Sequence, residues 1–109
     1  MIHIVQYWLA TEPLDMRSGP DSALARVVKV FGEAKPHHAY LFANKRGNRI
    51  KILVHDGLGI WLCSRRLNQG KFHWAELWKG DSIVLTEKQC QALVQGLPWQ
   101  RIENPLTLC

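Results

Sequence analysis

Half of the chain's fourteen lysines and arginines fall in one stretch, residues 44–71, NKRGNRIKILVHDGLGIWLCSRRLNQGK. They are Lys45, Arg46, Arg49, Lys51, Arg65, Arg66 and Lys71, and Asp56 is the one acidic residue among them. The stretch therefore carries +6, whereas the remaining seven basic and eight acidic residues come to −1. Guanidinium and ammonium groups in such excess attract polyanions, either phosphate backbones or an acidic protein surface. The plain alternative is a solvated sheet face made soluble by its charges. For nucleic acid, phosphate contact comes first and makes affinity salt-dependent. Arg65 and Arg66 have the reach for guanine edges, and Trp61 has the ring for base stacking, although its place in the pattern favours a core position.

Other chemistry finds little support. His37, His38 and His55 could ligate a metal only with partners, and there is no Cys-x-x-Cys step and no histidine pair spaced i,i+4 on a helix. Cys63, Cys90 and Cys109 form an odd, widely spaced set. That is no disulfide framework, and Cys63 and Cys90 read as buried thiols. Asp15, Asp21, Asp56 and Asp81 are scattered, whereas two-metal phosphoryl chemistry needs carboxylates that converge. Asp15 and Arg17, in LDMRSG, suit an ion pair or an Asx-turn. There is no nucleophile elbow and no glycine-rich phosphate loop. The chain reads as non-enzymatic, with no catalytic residue, cofactor or metal.

The elements that would position the basic residues follow from periodicity. Val5–Ala10 suits an opening strand and Thr11–Gly19 a polar loop. A helix is predicted over Pro20–Phe31, capped by Ser18 or Gly19 and stopped at Gly32, with Leu24, Val27, Val28 and Phe31 facing the core. Ala34–His38 reads as a linker. Strands follow at Tyr40–Lys45, Arg49–His55 and Ile60–Leu67, with further short strands at Lys71–Trp74 and Ser82–Leu85 and a loop at Trp78–Asp81 between them. The run Thr86-Glu87-Lys88-Gln89 fits a capping box opening a last helix. Cys90, Leu93, Val94 and Leu97 form its apolar face, Gly96 and Pro98 end it, and Trp99 folds back over Leu93. The expected class is α+β: a small antiparallel β-meander of about four to five strands packed with two helices.

Strand alternation then sorts the charges. With the first turn centred on Gly47-Asn48, Arg46 pairs with Arg49, Asn44 with Lys51 and Phe42 with Leu53. With the second centred on Gly57-Leu58, Lys51 faces Ser64 and Arg49 faces Arg66. One wet face collects Asn44, Arg46, Arg49, Lys51, Ser64 and Arg66. The core face holds Leu41, Ala43, Ile50, Ile52, Val54, Trp61 and Cys63. Lys45 and Arg65 point the other way near the strand ends, and a one-residue slip would exchange the faces.

At 109 residues and 47% hydrophobic content, the chain suits one domain over 1–101 with a tail at 102–109. No apolar run approaches the roughly 20 residues of a spanning helix. The N-terminal stretch is a poor signal peptide, and free thiols fit a cytoplasmic location.

Several local patterns, in order, resemble a known family. They are Trp8-Leu9-Ala10; Asp15-Met16-Arg17 with Gly19 and Asp21; Leu41-Phe42; Arg49-Ile50-Lys51-Ile52-Leu53; and Asp56-Gly57-x-Gly59. Next come Arg66-Leu67-x-x-Gly70-x-Phe72-x-Trp74 and Leu85-Thr86-x-x-Gln89 with Leu93, Gly96 and Trp99. Over about residues 7–101 the set resembles the small accessory protein TnpB of the insertion sequence 66 group of bacterial transposable elements, which is distinct from the RNA-guided nuclease that shares the TnpB name. The resemblance implies a transposition context, with DNA and a separate transposase subunit as partners, a homo-oligomer compatible with that role, and no membrane partner. It adds Arg17, in the family's Asp-Met-Arg step, to the candidate surface, and matches Arg49, Lys51 and Arg66 to positions where the family tends to be basic. His55 departs from the family's usual apolar strand end. The resemblance supplies no catalytic residue, and it leaves open an adaptor that meets the transposase without touching DNA.

Overall fold

Alternation of large apolar residues on both sides of the central strands calls for cover on both faces, and two helices provide it. The computed structural model describes residues 3–74 and 82–101. The elements are β1 (Gln6–Ala10), α1 (Pro20–Phe31), β2 (His38–Ala43), β3 (Arg49–His55), β4 (Ile60–Arg66), β5 (Ser82–Leu85) and α2 (Glu87–Val94), followed by a single 3₁₀ turn at Trp99–Arg101. The sheet order is β4-β3-β2-β1-β5. Strands β2, β3 and β4 form the meander, β1 runs parallel to β2 through the α1 crossover, and β5 pairs antiparallel with β1. The fold is α+β with a mixed, mostly antiparallel sheet.

Helix α1 packs over Ala10, Tyr40, Phe42 and Leu53 with Ala23 and Val27. Helix α2 packs over Leu9, Leu41, Ala43, Ile50 and Val54 with Cys90, Ala92 and Leu93. Local signals act as their chemistry dictates. Gly19 is the N-cap of α1, with Pro20 opening the helix, and Gly32 caps its end at φ +89, a conformation glycine adopts without a Cβ clash. The capping box of α2 is complete: the Gln89 N–H donates to Thr86 Oγ1, and the Thr86 N–H to Gln89 Oε1. Trp99 is buried beside Leu93, and its indole N–H donates to the His73 carbonyl at 2.6 Å.

Several expectations need correction. The face expected to be wet also carries Tyr40, Phe42 and Leu53 under α1, so only its far end is open. His38 opens β2 instead of closing a linker, and its Nδ1 accepts from the Trp8 indole N–H. Residues 71–74 form no strand; the Phe72 N–H donates to Gly47 O, and the ring is buried. Val28 is 47% exposed on α1, and Ala23 takes the buried place. Trp61, 48% exposed, and Cys63 are also exposed, because β4 is an edge strand beyond the reach of α2. The expected loop Trp78–Asp81 and the tail 102–109 lie outside the described residues.

Candidate nucleic-acid interface

The second hairpin has the expected register, with Arg49 opposite Arg66 and Lys51 opposite Ser64. The turn explains why. Asp56 Oδ1 accepts from the N–H groups of Leu58 and Gly59, and its Oδ2 accepts from the Trp61 indole. These bonds hold the carboxyl at about 2, well below its ordinary range.

The first hairpin is displaced by two residues. Phe42 lies opposite Lys51 and Ala43 opposite Ile50. Asn44 is responsible: its Oδ1 accepts from the Asn48 and Arg49 amides, and its Nδ2 donates to Asn48 Oδ1. These bonds close a wider loop, with Gly47 at φ +74. Lys45 and Arg46 therefore lie in the turn, and Arg46 does not oppose Arg49. A slip of two keeps every strand residue on its expected face, so Arg49, Lys51, Ser64 and Arg66 share one face with Leu53 and Leu62. Arg65 alternates to the other face, beside Trp61 and Cys63.

The basic residues converge on one end of the molecule, where three adjoining grooves share walls. The first is lined by Lys45, Arg46 and Lys71 with Phe72 and Trp74. The second runs between Lys45, Arg46 and Arg49 and the segment Pro13–Met16. The third lies between Met16, Arg49, Lys51, Ser64, Arg65 and Arg66. Asp15 is the one carboxylate among their described lining residues. It is paired: Arg17 donates to it from Nε and Nη2, the latter at 2.8 Å, and its Oδ1 accepts the Arg17 N–H. Ion pair and Asx-turn thus coexist. They hold the Asp15 carboxyl at about 2 and push the Arg17 guanidinium pKa upward.

The loop before α1 frames these grooves because it is fastened from several sides. Leu14 N–H donates to Ala43 O at 2.8 Å, Arg26 Nη1 to Pro13 O at 3.1 Å, and Lys51 Nζ to Ser18 O at 2.6 Å. Below it, the Trp74 indole donates to Ala10 O at 2.8 Å. Sequence reasoning put Asn44 on the basic face and Asn48 in the turn without their turn-closing bonds, and it missed Met16 and Trp74 as groove-lining residues. The asparagines bracketing Lys45-Arg46-Gly47 were a usable signal, since Asn side chains commonly close turns. Cations spaced along such a frame can bind successive phosphates. Among the described residues no three His, Cys, Asp or Glu side chains gather as a metal site, and no helix is long and apolar enough to cross a membrane.

Comparison with known proteins gives a consistent family. The model of a family described as IS66 Orf2 like protein matches residues 5–104. The chain is similar to uncharacterized protein y4hO of Sinorhizobium fredii, 32% identical over 98 residues covering 88% of this chain and 84% of that protein. It is also similar to uncharacterized protein y4jC of the same organism, 30% identical over 98 residues covering 88% and 82%. No solved structure matches.

Proposed function

The chain belongs to the IS66 Orf2-like family, whose role is accessory to transposition, and we propose that it acts there without catalysis, by holding DNA on its basic grooves for a separate transposase. The observation that carries this reading is the convergence of Lys45, Arg46, Arg49, Lys51, Arg65, Arg66 and Lys71 on adjoining grooves with one carboxylate among their described lining residues, itself occupied by Arg17. Such a surface binds the phosphate backbone and releases condensed counterions. Like charges opposed across a sheet destabilise it, as Arg49 and Arg66 must, and a polyanion relieves that repulsion. The contact is made to backbone phosphates, so affinity depends weakly on sequence.

Binding to labelled duplex DNA at two salt concentrations tests the reading. Contact with about five phosphates makes affinity fall roughly 500-fold between about 50 and 200 mM salt. Replacing Arg49, Lys51 and Arg66 together by alanine removes most of that binding while circular dichroism stays unchanged. Wild-type protein that captures the transposase but retains no DNA at the lower salt would instead establish a protein adaptor. Cleavage of DNA by the pure protein would overturn the non-enzymatic role.

A further inference from the structure

Strand β4 ends the sheet with a seven-residue edge that no described strand covers. Its open side is defined by the ladder on its other side. Asp56 N–H donates to Gly59 O and Leu67 N–H to Asn48 O, so these are hydrogen-bonded pairs. Hydrogen-bonded and non-bonded pairs alternate along an antiparallel ladder. Trp61, Cys63 and Arg65 therefore spend their backbone groups on β3, while the N–H and C=O groups of Ile60, Leu62, Ser64 and Arg66 point outward. Natural edges are blunted by shortness, a bulge, a proline or charged side chains, and the charges of β4, Arg65 and Arg66, are confined to its last two residues. The ladder from Ile60 to Arg66 has no bulge, and the strand has no proline.

We infer that this edge pairs with the same edge of a second copy, antiparallel, about a two-fold axis at Cys63. In that register all seven residues of β4 find a partner. The outward-pointing residues match one another, Ile60 with Arg66 and Leu62 with Ser64, and exchange backbone hydrogen bonds. The remaining pairs are Trp61 with Arg65 and Cys63 with itself. No arginine faces an arginine. The guanidinium of Arg65 instead meets the exposed face of Trp61, an indole already fixed by Asp56 at 2.6 Å, in a cation–π arrangement. Sliding the pairing by two residues in either direction keeps the backbone parity but leaves two strand residues unmatched on each copy. Because paired strand residues share a face, the two sets of grooves lined by Arg49, Lys51 and Arg66 lie on the same side of one ten-stranded sheet. The pairing does not depend on DNA.

The two Cys63 residues then form a non-hydrogen-bonded pair, with Cα atoms about 4.5 Å apart, inside the about 4.4–6.8 Å range a disulfide spans. Diamide, which oxidises a thiol pair to a disulfide, gives the test on the full chain. The expected result is a covalent dimer that survives Cys109→Ser and is lost in Cys63→Ser. Light scattering without DNA is expected to give twice the monomer mass. It should fall to monomer in Ser64→Pro, which removes an outward N–H without touching the β3 ladder, and in Cys63→Glu, which opposes two carboxylates on the axis. Circular dichroism on both variants reports the fold, and one folded variant suffices. Since each copy carries +5, added salt is expected to strengthen this dimer while it weakens DNA binding. The two readings can therefore fail separately. A monomer at high protein concentration, a dimer untouched by either substitution, or cross-linking only through Cys90 or Cys109 would overturn the pairing.

Discussion

The Nζ of Lys51 sits 2.6 Å from the backbone carbonyl oxygen of Ser18, joining the middle of β3 to the end of the loop that precedes α1. One cation thus lines the third groove and also fastens the loop that frames the second. Lys51→Met keeps the apolar stem and removes the bond. Charged hydrogen bonds contribute more than neutral ones, but the half-buried setting reduces this one, so a loss of about 1 kcal/mol is expected in urea unfolding. Amide exchange at residues 15–19 should accelerate. If both stay at wild-type values, the contact does not hold the loop.

Two carboxyls make stability depend on acid. Asp15 is held at about 2 chiefly by side-chain and backbone hydrogen bonds from Arg17, and Asp56 at about 2 by the amides of Leu58 and Gly59 and by the Trp61 indole. Both folded values lie below the ordinary 3.8, so the fold favours the ionised forms. Their contribution is full above that value and is lost as pH falls through about 2. The thermal midpoint should drop between about pH 4 and pH 2. A double Asp15→Asn, Asp56→Asn variant should start lower and show a shallower drop; equal slopes for the two proteins would refute the assignment.

Asn44 shows where the sequence stopped being legible. The helix Pro20–Phe31, the strand Arg49–His55, the capping box and the pairing of Arg49 with Arg66 could all be read from periodicity and turn chemistry, because each rests on local signals. The first hairpin could not, because Gly47-Asn48 suits a tight two-residue turn, and only the side-chain bonds of Asn44 favour the wider loop. The second helix-covered face was missed for a related reason: Phe42 and Leu53 lie on the same strand face as Lys51, and which part of that face α1 covers is a tertiary fact. Asn44→Ala leaves the Asn48 and Arg49 amides without their acceptor and should cost about 1–2 kcal/mol. The chemical shifts of residues 45–48 should change while those of β4 hold. Changes spread across β4 would mean that the loop sets both registers.

The thiols should separate by reactivity. Cys90 is 7% exposed, and burial with the nearby Glu87 pushes its thiol up to about 11. The thiolate is the reactive form, so near pH 8 Cys90 is protected by both access and ionisation. Cys63 is exposed. With Cys109 replaced by serine, a disulfide reagent should modify one thiol quickly and the second only at the rate of unfolding. Fast modification of both would place Cys90 at the surface.

Asp15 offers the sharpest test of the grooves because it is their one described carboxylate. It repels phosphate and also occupies Arg17, whose side chain is 92% exposed but turned onto Asp15 at 2.8 Å. Asp15→Asn removes the repulsion and frees the guanidinium, so duplex affinity should rise and the salt slope should steepen by about 0.9 for one added phosphate contact. Arg17→Ala leaves a bare carboxylate facing the phosphates and should weaken binding. The double variant should fall between the two. If Asp15→Asn instead weakens binding while the fold is retained, the Asp15–Arg17 pair is itself part of the contact, and the phosphate path must be drawn along Arg65 and Arg66 instead of across the loop.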